Sequence, residues 1–257
     1  MKNEMYGLGF DLEIWRNEKI KVPYRFNFND YTQILLTGGT GTGKSYALLY
    51  LLGGIVANNP GIRIFLCDFK NSEDFKFLDG YEYFYSGDSV YDGIMSYYEA
   101  FTKARQSGES NIRHLLIVDE YPAFINYLQS KDKMDKTKKA NEVMSAIAEI
   151  LMLGRGIKFG CLITTQRADS SLFSNGARDN FQVVCALGRL SKEQKQMLFS
   201  GEEIEANYIF GKGEGILLAD GKPLKYVKFP MIDTNEFKEN ISQILMGNTD
   251  SEELSLF

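Results

Sequence analysis

Ile34-Leu35-Leu36-Thr37-Gly38-Gly39-Thr40-Gly41-Thr42-Gly43-Lys44-Ser45 runs from an apolar stretch through glycines into Lys-Ser, and Tyr46 to Ala57 continue it as a largely apolar segment. The spacing Gly38-x-x-x-x-Gly43-Lys44-Ser45 is a full phosphate-loop match in the context its chemistry needs, with a strand before it and a helix after it. Glycines let the backbone wrap an anion with its N–H groups pointing inward, and the start of the helix adds a field favourable to negative charge. The reading predicts that Gly38, Gly39, Thr40, Gly41, Thr42, Gly43, Lys44 and Ser45 cradle ATP. Lys44 would span the β and γ phosphates, and Ser45 Oγ would coordinate Mg2+.

Two further stretches supply matching parts. Leu115-Leu116-Ile117-Val118-Asp119-Glu120 is an apolar strand delivering two carboxylates at its C-terminal end, the edge of a parallel sheet where ligands bind. Asp119 is expected to hold the metal or its bound water, and Glu120 to polarise the attacking water as general base. Thr164-Thr165-Gln166-Arg167 closes a later strand. Gln166 is placed to contact the γ-phosphate or the lytic water, or else it is a structural amide at the strand end. No serine, thiol or histidine nucleophile constellation accompanies these groups, so direct phosphoryl transfer to water is the reaction expected.

Working outward, apolar runs at Ile62–Cys67, Leu115–Val118, Phe159–Thr165 and Phe181–Leu187 alternate with helical patterns at Val90–Ala104 and Glu142–Leu153. Strands apolar throughout, separated by helices, predict an α/β fold with a mainly parallel sheet covered on both faces. Tyr83-Phe84-Tyr85 reads as a further short strand. Two short runs flanking Asp220-Gly221 predict a late β-hairpin, expected at one edge of the sheet. The chain divides into a β-rich lead-in at residues 1–32, a core at 33–232 and a tail at 233–257. Phe237, Ile241 and Leu245 give that tail one amphipathic turn, and its last residues are expected to dock on a neighbour or fray.

Apolar residues at 44% and charged residues at 25% of 257 positions are enough for a continuous core. No window approaches the roughly 20 apolar residues that cross a bilayer, and the first residues lack a secretory signal, so a cytoplasmic protein is expected. Cys67, Cys161 and Cys185 lie in strand-like runs without metal or disulfide spacing and read as buried thiols in a reducing compartment. His114, the single histidine, reads as a strand-edge residue. A net charge of −5 does not advertise nucleic-acid binding, although a local patch decides that field. Lys131 to Lys139 is such a patch, with five lysines against two aspartates; it reads as a solvated loop or as a contact with DNA backbone or a partner.

Taken together, these segments resemble the motor domain of the FtsK/SpoIIIE family of DNA translocases, within the wider HerA–FtsK group. Arg155-Gly156-Ile157-Lys158-Phe159-Gly160-Cys161-Leu162-Ile163-Thr164-Thr165-Gln166-Arg167 is similar to the family stretch in which an arginine-containing helix end leads through a strand into Thr-Gln-Arg. Cys67-Asp68-Phe69-Lys70 resembles the family's Asp-Pro-Lys, with Phe69 in place of proline, and Gly211-Lys212-Gly213-Glu214 resembles its Gly-Arg-Gly-Asp before a late hairpin. The resemblance runs in order over residues 30 to 230.

That resemblance implies a RecA-like core working as a ring, usually hexameric, on double-stranded DNA. It implies that Arg155 is an arginine finger reaching the nucleotide of the adjacent subunit, against the alternative of a local salt bridge; Arg167, Arg178 and Arg189 are lesser finger candidates. Absence of a preceding transmembrane region and of a DNA-reading winged-helix module points to a compact member serving a plasmid, conjugative element or phage. Recruitment would then fall to a partner such as a relaxase, which could also bring the protein to the membrane, to the pore loops or to Lys131–Lys139; the loops expected to grip DNA are Asp119–Lys139 and Thr165–Asn180. The rival readings are a nucleotide-switched assembly or coupling factor without translocation, and a viral-type DNA-packaging ATPase.

Overall fold

The computed structural model describes residues 4–108, 110, 112–167, 179–205, 208–232 and 234–247. In chain order these form β1 (Met5–Asp11), α1 (Leu12–Glu18), β2 (Pro23–Asn27), β3 (Gln33–Gly38), α2 (Lys44–Asn58), β4 (Arg63–Asp68), β5 (Phe84–Ser86) and α3 (Val90–Ser107). There follow β6 (His114–Asp119), α4 (Tyr121–Asp135), α5 (Lys139–Leu153), β7 (Phe159–Thr165), β8 (Val183–Leu187), α6 (Lys192–Leu198), β9 (Glu214–Ala219), β10 (Lys225–Lys228) and α7 (Thr234–Leu245).

One sheet takes the strands in the order β2-β1-β10-β9-β8-β3-β7-β6-β4-β5. From β8 to β5 every pairing is parallel; from β8 through β9, β10 and β1 to β2 every pairing is antiparallel. The strand before the phosphate loop sits near the middle, with Leu36 level with Thr164 on one side and Cys185 on the other. Its side chains alternate between two cores, as strand geometry requires. Ile34 and Leu36 pack with Leu48, Leu52 and Ile55 of α2, while Leu35 packs with Ile94 and Tyr97 of α3 and with Val143 and Ile147 of α5.

α2 is apolar almost all round, and a helix of that kind must be covered on every side. The sheet covers its inner face; β1 and α7 cover the outer one. Phe237 of α7 lies so close to Gly53 that a Cβ there would stand 2.3 Å from the ring. Burying Phe237 and Ile241 contributes about 1.5–3 kcal/mol each. The tail thus forms three turns of helix docked on α2, more than the single turn expected; residues 248–257 lie outside the described residues. Among the described residues no helix is long and apolar enough to cross a membrane.

Two expectations are corrected. The late hairpin is internal to the sheet, because β10 pairs with β1 and β1 with β2, which become the edge. Lys131–Lys139 is also largely helical: α4 runs to Asp135 and α5 starts at Lys139. The reason is Asp132, whose carboxylate accepts from Lys139 N at 3.0 Å and Ala140 N at 2.9 Å, so an acid within the lysine run caps the next helix. The proposed loop Asp119–Lys139 is therefore a helix with a short turn at its end. All three cysteines are buried and free. His114 starts β6, stacked on Phe159 at 4.3 Å; burial, helped by Arg63, lowers its pKa to about 4.

Glu214 at the start of β9 ties the lead-in to this sheet. Its carboxylate accepts from Arg16 Nη2 at 2.5 Å, Lys228 Nζ at 2.9 Å and Gly211 N at 2.9 Å. Burial pushes its pKa up, but these three donors outweigh burial and hold it below the ordinary range. A carboxylate lowered in the folded state stabilises above its unfolded pKa and loses that contribution as pH falls through the folded one. Glu214→Gln is expected to cost about 1–2 kcal/mol at pH 7, the partly exposed partners limiting the loss. In denaturant unfolding the deficit should shrink as pH falls below about 4; a deficit constant from pH 7 to pH 3 would contradict the assignment.

Candidate active site

Gly43 caps α2 in the left-handed region at φ 95°, with no side chain bonding the helix start. The first N–H groups of α2 are therefore without a side-chain cap at the place where an anion would sit. A side chain at Gly43 is also barred from outside, since a Cβ would lie 2.8 Å from Gly213 N. Gly213 N donates to Thr42 O at 2.7 Å, so the Gly211–Glu214 segment clamps the phosphate loop. Thr42 Oγ1 donates to Gly39 O at 2.8 Å, closing the loop on itself.

Behind the loop, Thr164 on β7 joins the strands that flank it. Its hydroxyl donates to Asp119 Oδ1 at 2.5 Å and accepts from Glu120 N at 2.9 Å and Lys44 Nζ at 3.4 Å. One donor and two acceptor sites are the full capacity of a hydroxyl. Held in this way, Glu120 takes a left-handed backbone, φ 53° and ψ 45°, as it caps α4. Such a conformation costs a non-glycine residue about 1–2 kcal/mol and turns its side chain over the phosphate loop.

Three donors converge on Glu120 Oε1. Lys44 Nζ bonds it directly, Lys70 Nζ lies at 3.3 Å and Gln166 Nε2 at 3.4 Å. Burial raises the Glu120 pKa, but the hydrogen bond and charge of Lys44, with those of Lys70, leave it lowered, so the side chain is ionised at neutral pH. Asp119 moves the opposite way: burial raises it foremost, Glu120 and Asp68 add to the rise, and Lys44 and Thr164 oppose it. A buried carboxylate in that setting favours a further cation. Among the described residues no group of three or more His, Cys, Asp or Glu is arranged to hold a metal. Ser45 lines the cleft, and Asp119 is bonded to Thr164 behind the loop; a hydroxyl and a carboxylate are the oxygen donors magnesium takes, with phosphate and water as its further ligands.

The cleft measures about 340 Å³ and is lined by Gly39, Thr40, Gly41, Gly43, Lys44, Ser45, Glu120 and Gln166, all expected from the sequence. Tyr46, Leu49, Lys70, Asp74, Lys212 and Lys238 line it too. The motifs containing Lys70 and Lys212 are visible in the sequence, but no role follows from them there; Lys238 comes from the docked tail and carries no signal. Gly38 and Thr42 shape the loop from behind, and Asp119 lies beneath Thr164.

Arg155 does not join the cleft. It is exposed in the short turn Gly154–Ile157 before β7, a strand's length of about 23 Å from Thr165. Its charge instead opposes the burial-driven rise of the Asp220 pKa. Arg167 and Arg189 are exposed outside the cleft; Arg178, and residues 168–178 of the expected loop Thr165–Asn180, lie outside the described residues.

No protein-family model matches the chain. It is 25% identical over 242 residues to the FtsK domain-containing protein YdcQ of Bacillus subtilis (strain 168), an alignment covering 86% of this chain and 48% of YdcQ. The chain thus spans about half the length of that curated relative. The pCW3 conjugation coupling protein TcpA, a monomer form with ATPγS, superposes with a TM-score of 0.70 at 18% identity, over 96% of this chain and 71% of TcpA. EssC ATPases 2 and 3 from Geobacillus thermodenitrificans give 0.68 at 12% identity, over 96% of this chain and 49% of theirs. The genome packaging NTPase of Sulfolobus turreted icosahedral virus 2, with AMPPCP, gives 0.54 at 18% identity, over 79% of this chain and 99% of its own. At such identities the structural likeness is one of fold. Together with the phosphate loop, the paired carboxylates and the Thr-Gln-Arg strand end, these findings give the chain the RecA-like P-loop ATPase fold and a sequence similar to that of an FtsK domain-containing protein.

Proposed function

We propose that this chain hydrolyses ATP and uses the cleavage to move double-stranded DNA, as one subunit of a ring, usually six. The observation that carries the reading is the convergence of Lys44, Lys70 and Gln166 on Glu120 at the mouth of the phosphate loop. Backbone N–H groups of Gly39 to Ser45 grip the phosphates and Lys44 turns from Glu120 to the β and γ oxygens. Glu120, released from Lys44, accepts the proton of the attacking water, and Gln166 positions that water. Ser45 and Asp119 would hold magnesium, which when bound neutralises charge on the phosphates.

Arg155 stands at the sheet edge away from its own cleft, which supports a role on the nucleotide of a neighbouring subunit, where its charge would stabilise the transferring phosphoryl group. Exposed Lys133, Lys136, Lys138 and Lys139 around the α4–α5 turn support contact with a phosphate backbone. Glu120 caps the start of α4 and Lys136 its end, so α4 links Glu120 to this basic turn. Likeness to a conjugation coupling protein supports work in the cytoplasm for a mobile element, with a relaxase or other transfer protein bringing the ring to DNA or to the membrane.

Glu120→Gln should keep ATP binding and slow hydrolysis by about 100-fold or more; turnover at the wild-type rate would remove Glu120 as base. Duplex DNA should raise ATP turnover of the assembled protein and lose that effect with added salt. Lys136→Glu with Lys138→Glu should abolish the stimulation while sparing basal turnover. Absence of DNA stimulation in an assembled oligomer would favour a nucleotide-switched factor instead. Mixing Arg155→Ala with Lys44→Ala chains, each inactive alone, should restore part of the activity if Arg155 acts across the interface; full activity of Arg155→Ala alone would rule the finger out.

A further inference from the structure

Glu120 carries one negative charge, yet two lysines lie on its Oε1. Lys44 is the expected phosphate-loop cation and alone neutralises the carboxylate. Lys70 is surplus: a second ammonium at the lip of an anion-binding cleft, ion-paired to the same Glu120, with Asp74 the other acid that lines the cleft.

The turn that carries Lys70 is built to hold one direction. Asp68, fully buried at the end of β4, accepts from Lys70 N at 3.1 Å, Ser72 N at 2.6 Å and Ser72 Oγ at 3.0 Å. Phe69 packs its ring on Phe124 and Tyr127 of α4, with centroids 5.4 and 4.9 Å apart. The turn is thereby fixed to the helix that begins at Glu120, and Lys70 and Glu120 keep their spacing as one unit.

We propose that Lys70 binds the terminal phosphate of the nucleotide and so distinguishes a triphosphate from a diphosphate. The inference rests on the ATP site proposed above. Lys44, Lys70 and Gln166 surround one carboxylate oxygen as donors surround a phosphate oxygen, and that oxygen marks where the outermost phosphate group approaches. Lys44 reaches the β as well as the γ group from within the loop, whereas Lys70 comes from β4, on the Glu120 side. A diphosphate engages Lys44 and the backbone amides and leaves Lys70 on Glu120.

The test is equilibrium binding of ATPγS and of ADP, each with magnesium, to wild type, Lys70→Ala and Lys70→Arg, with thermal unfolding as the check on folding. Lys70→Ala should weaken ATPγS about tenfold, as expected for one charge-assisted hydrogen bond in a half-open site. ADP affinity should change less than about twofold, and Lys70→Arg should recover most of the ATPγS affinity. Equal losses for the two nucleotides would assign Lys70 to holding the turn and overturn the proposal, as would an unchanged ATPγS affinity. Failure of the wild-type protein to bind either nucleotide would sink the ATP site itself and this inference with it, a result distinct from normal binding with an unaltered preference.

Discussion

A carboxylate and an ammonium buried together are stable only when their remaining donors and acceptors also find partners. Lys44 and Glu120, 9% and 6% exposed, meet that condition in part: Lys70 and Gln166 also reach the Glu120 carboxylate, and Thr164 accepts from Lys44. β7 lies between β3 and β6, and Thr164 on it spends its whole hydrogen-bonding capacity on Asp119, Glu120 and Lys44. The parallel order of these three strands is what brings the phosphate loop, Glu120 and Asp119 to one edge. A change of order would leave the same residues present and the charges unpaired.

The helix that carries Lys44 imposes the second constraint. Because α2 is apolar on nearly every face, the core sheet alone cannot bury it, and the antiparallel strands and α7 complete the cover. Those covering elements then reach the site. α7 supplies Lys238 to the cleft, and the segment leading into β9 clamps Thr42 through Gly213. Glu214, one residue further, binds Arg16 of α1. Stability of the lead-in, shape of the phosphate loop and lining of the cleft are coupled through the four consecutive residues Gly211–Glu214.

This division also explains what could be read from the chain before its fold was known. The phosphate loop, Asp119-Glu120 and Thr164–Gln166 are legible because each depends on local spacing at the end of an apolar strand. Position of the hairpin is not, since its outer partner β1 lies some two hundred residues earlier and pairs with it only through tertiary structure. Asp132 is illegible for a related reason: surrounded by lysines it reads as part of a solvated run, and its role as a cap appears once α4 and α5 meet. Lys70 sits in a recognisable motif, but its nearness to Glu120 depends on β4 and β6 being neighbours.

Backbone strain at Glu120 gives the resting site a particular character. Its left-handed conformation is held by Thr164 through the backbone N–H rather than through the carboxylate. The backbone conformation therefore does not depend on a lysine being bonded to the carboxylate. In the proposed cycle, exchange of Lys44 from carboxylate to phosphate would leave the Thr164 bonds to Asp119 and to Glu120 N in place. Lys70 extends from a turn that Asp68 and Phe69 fix to the same edge.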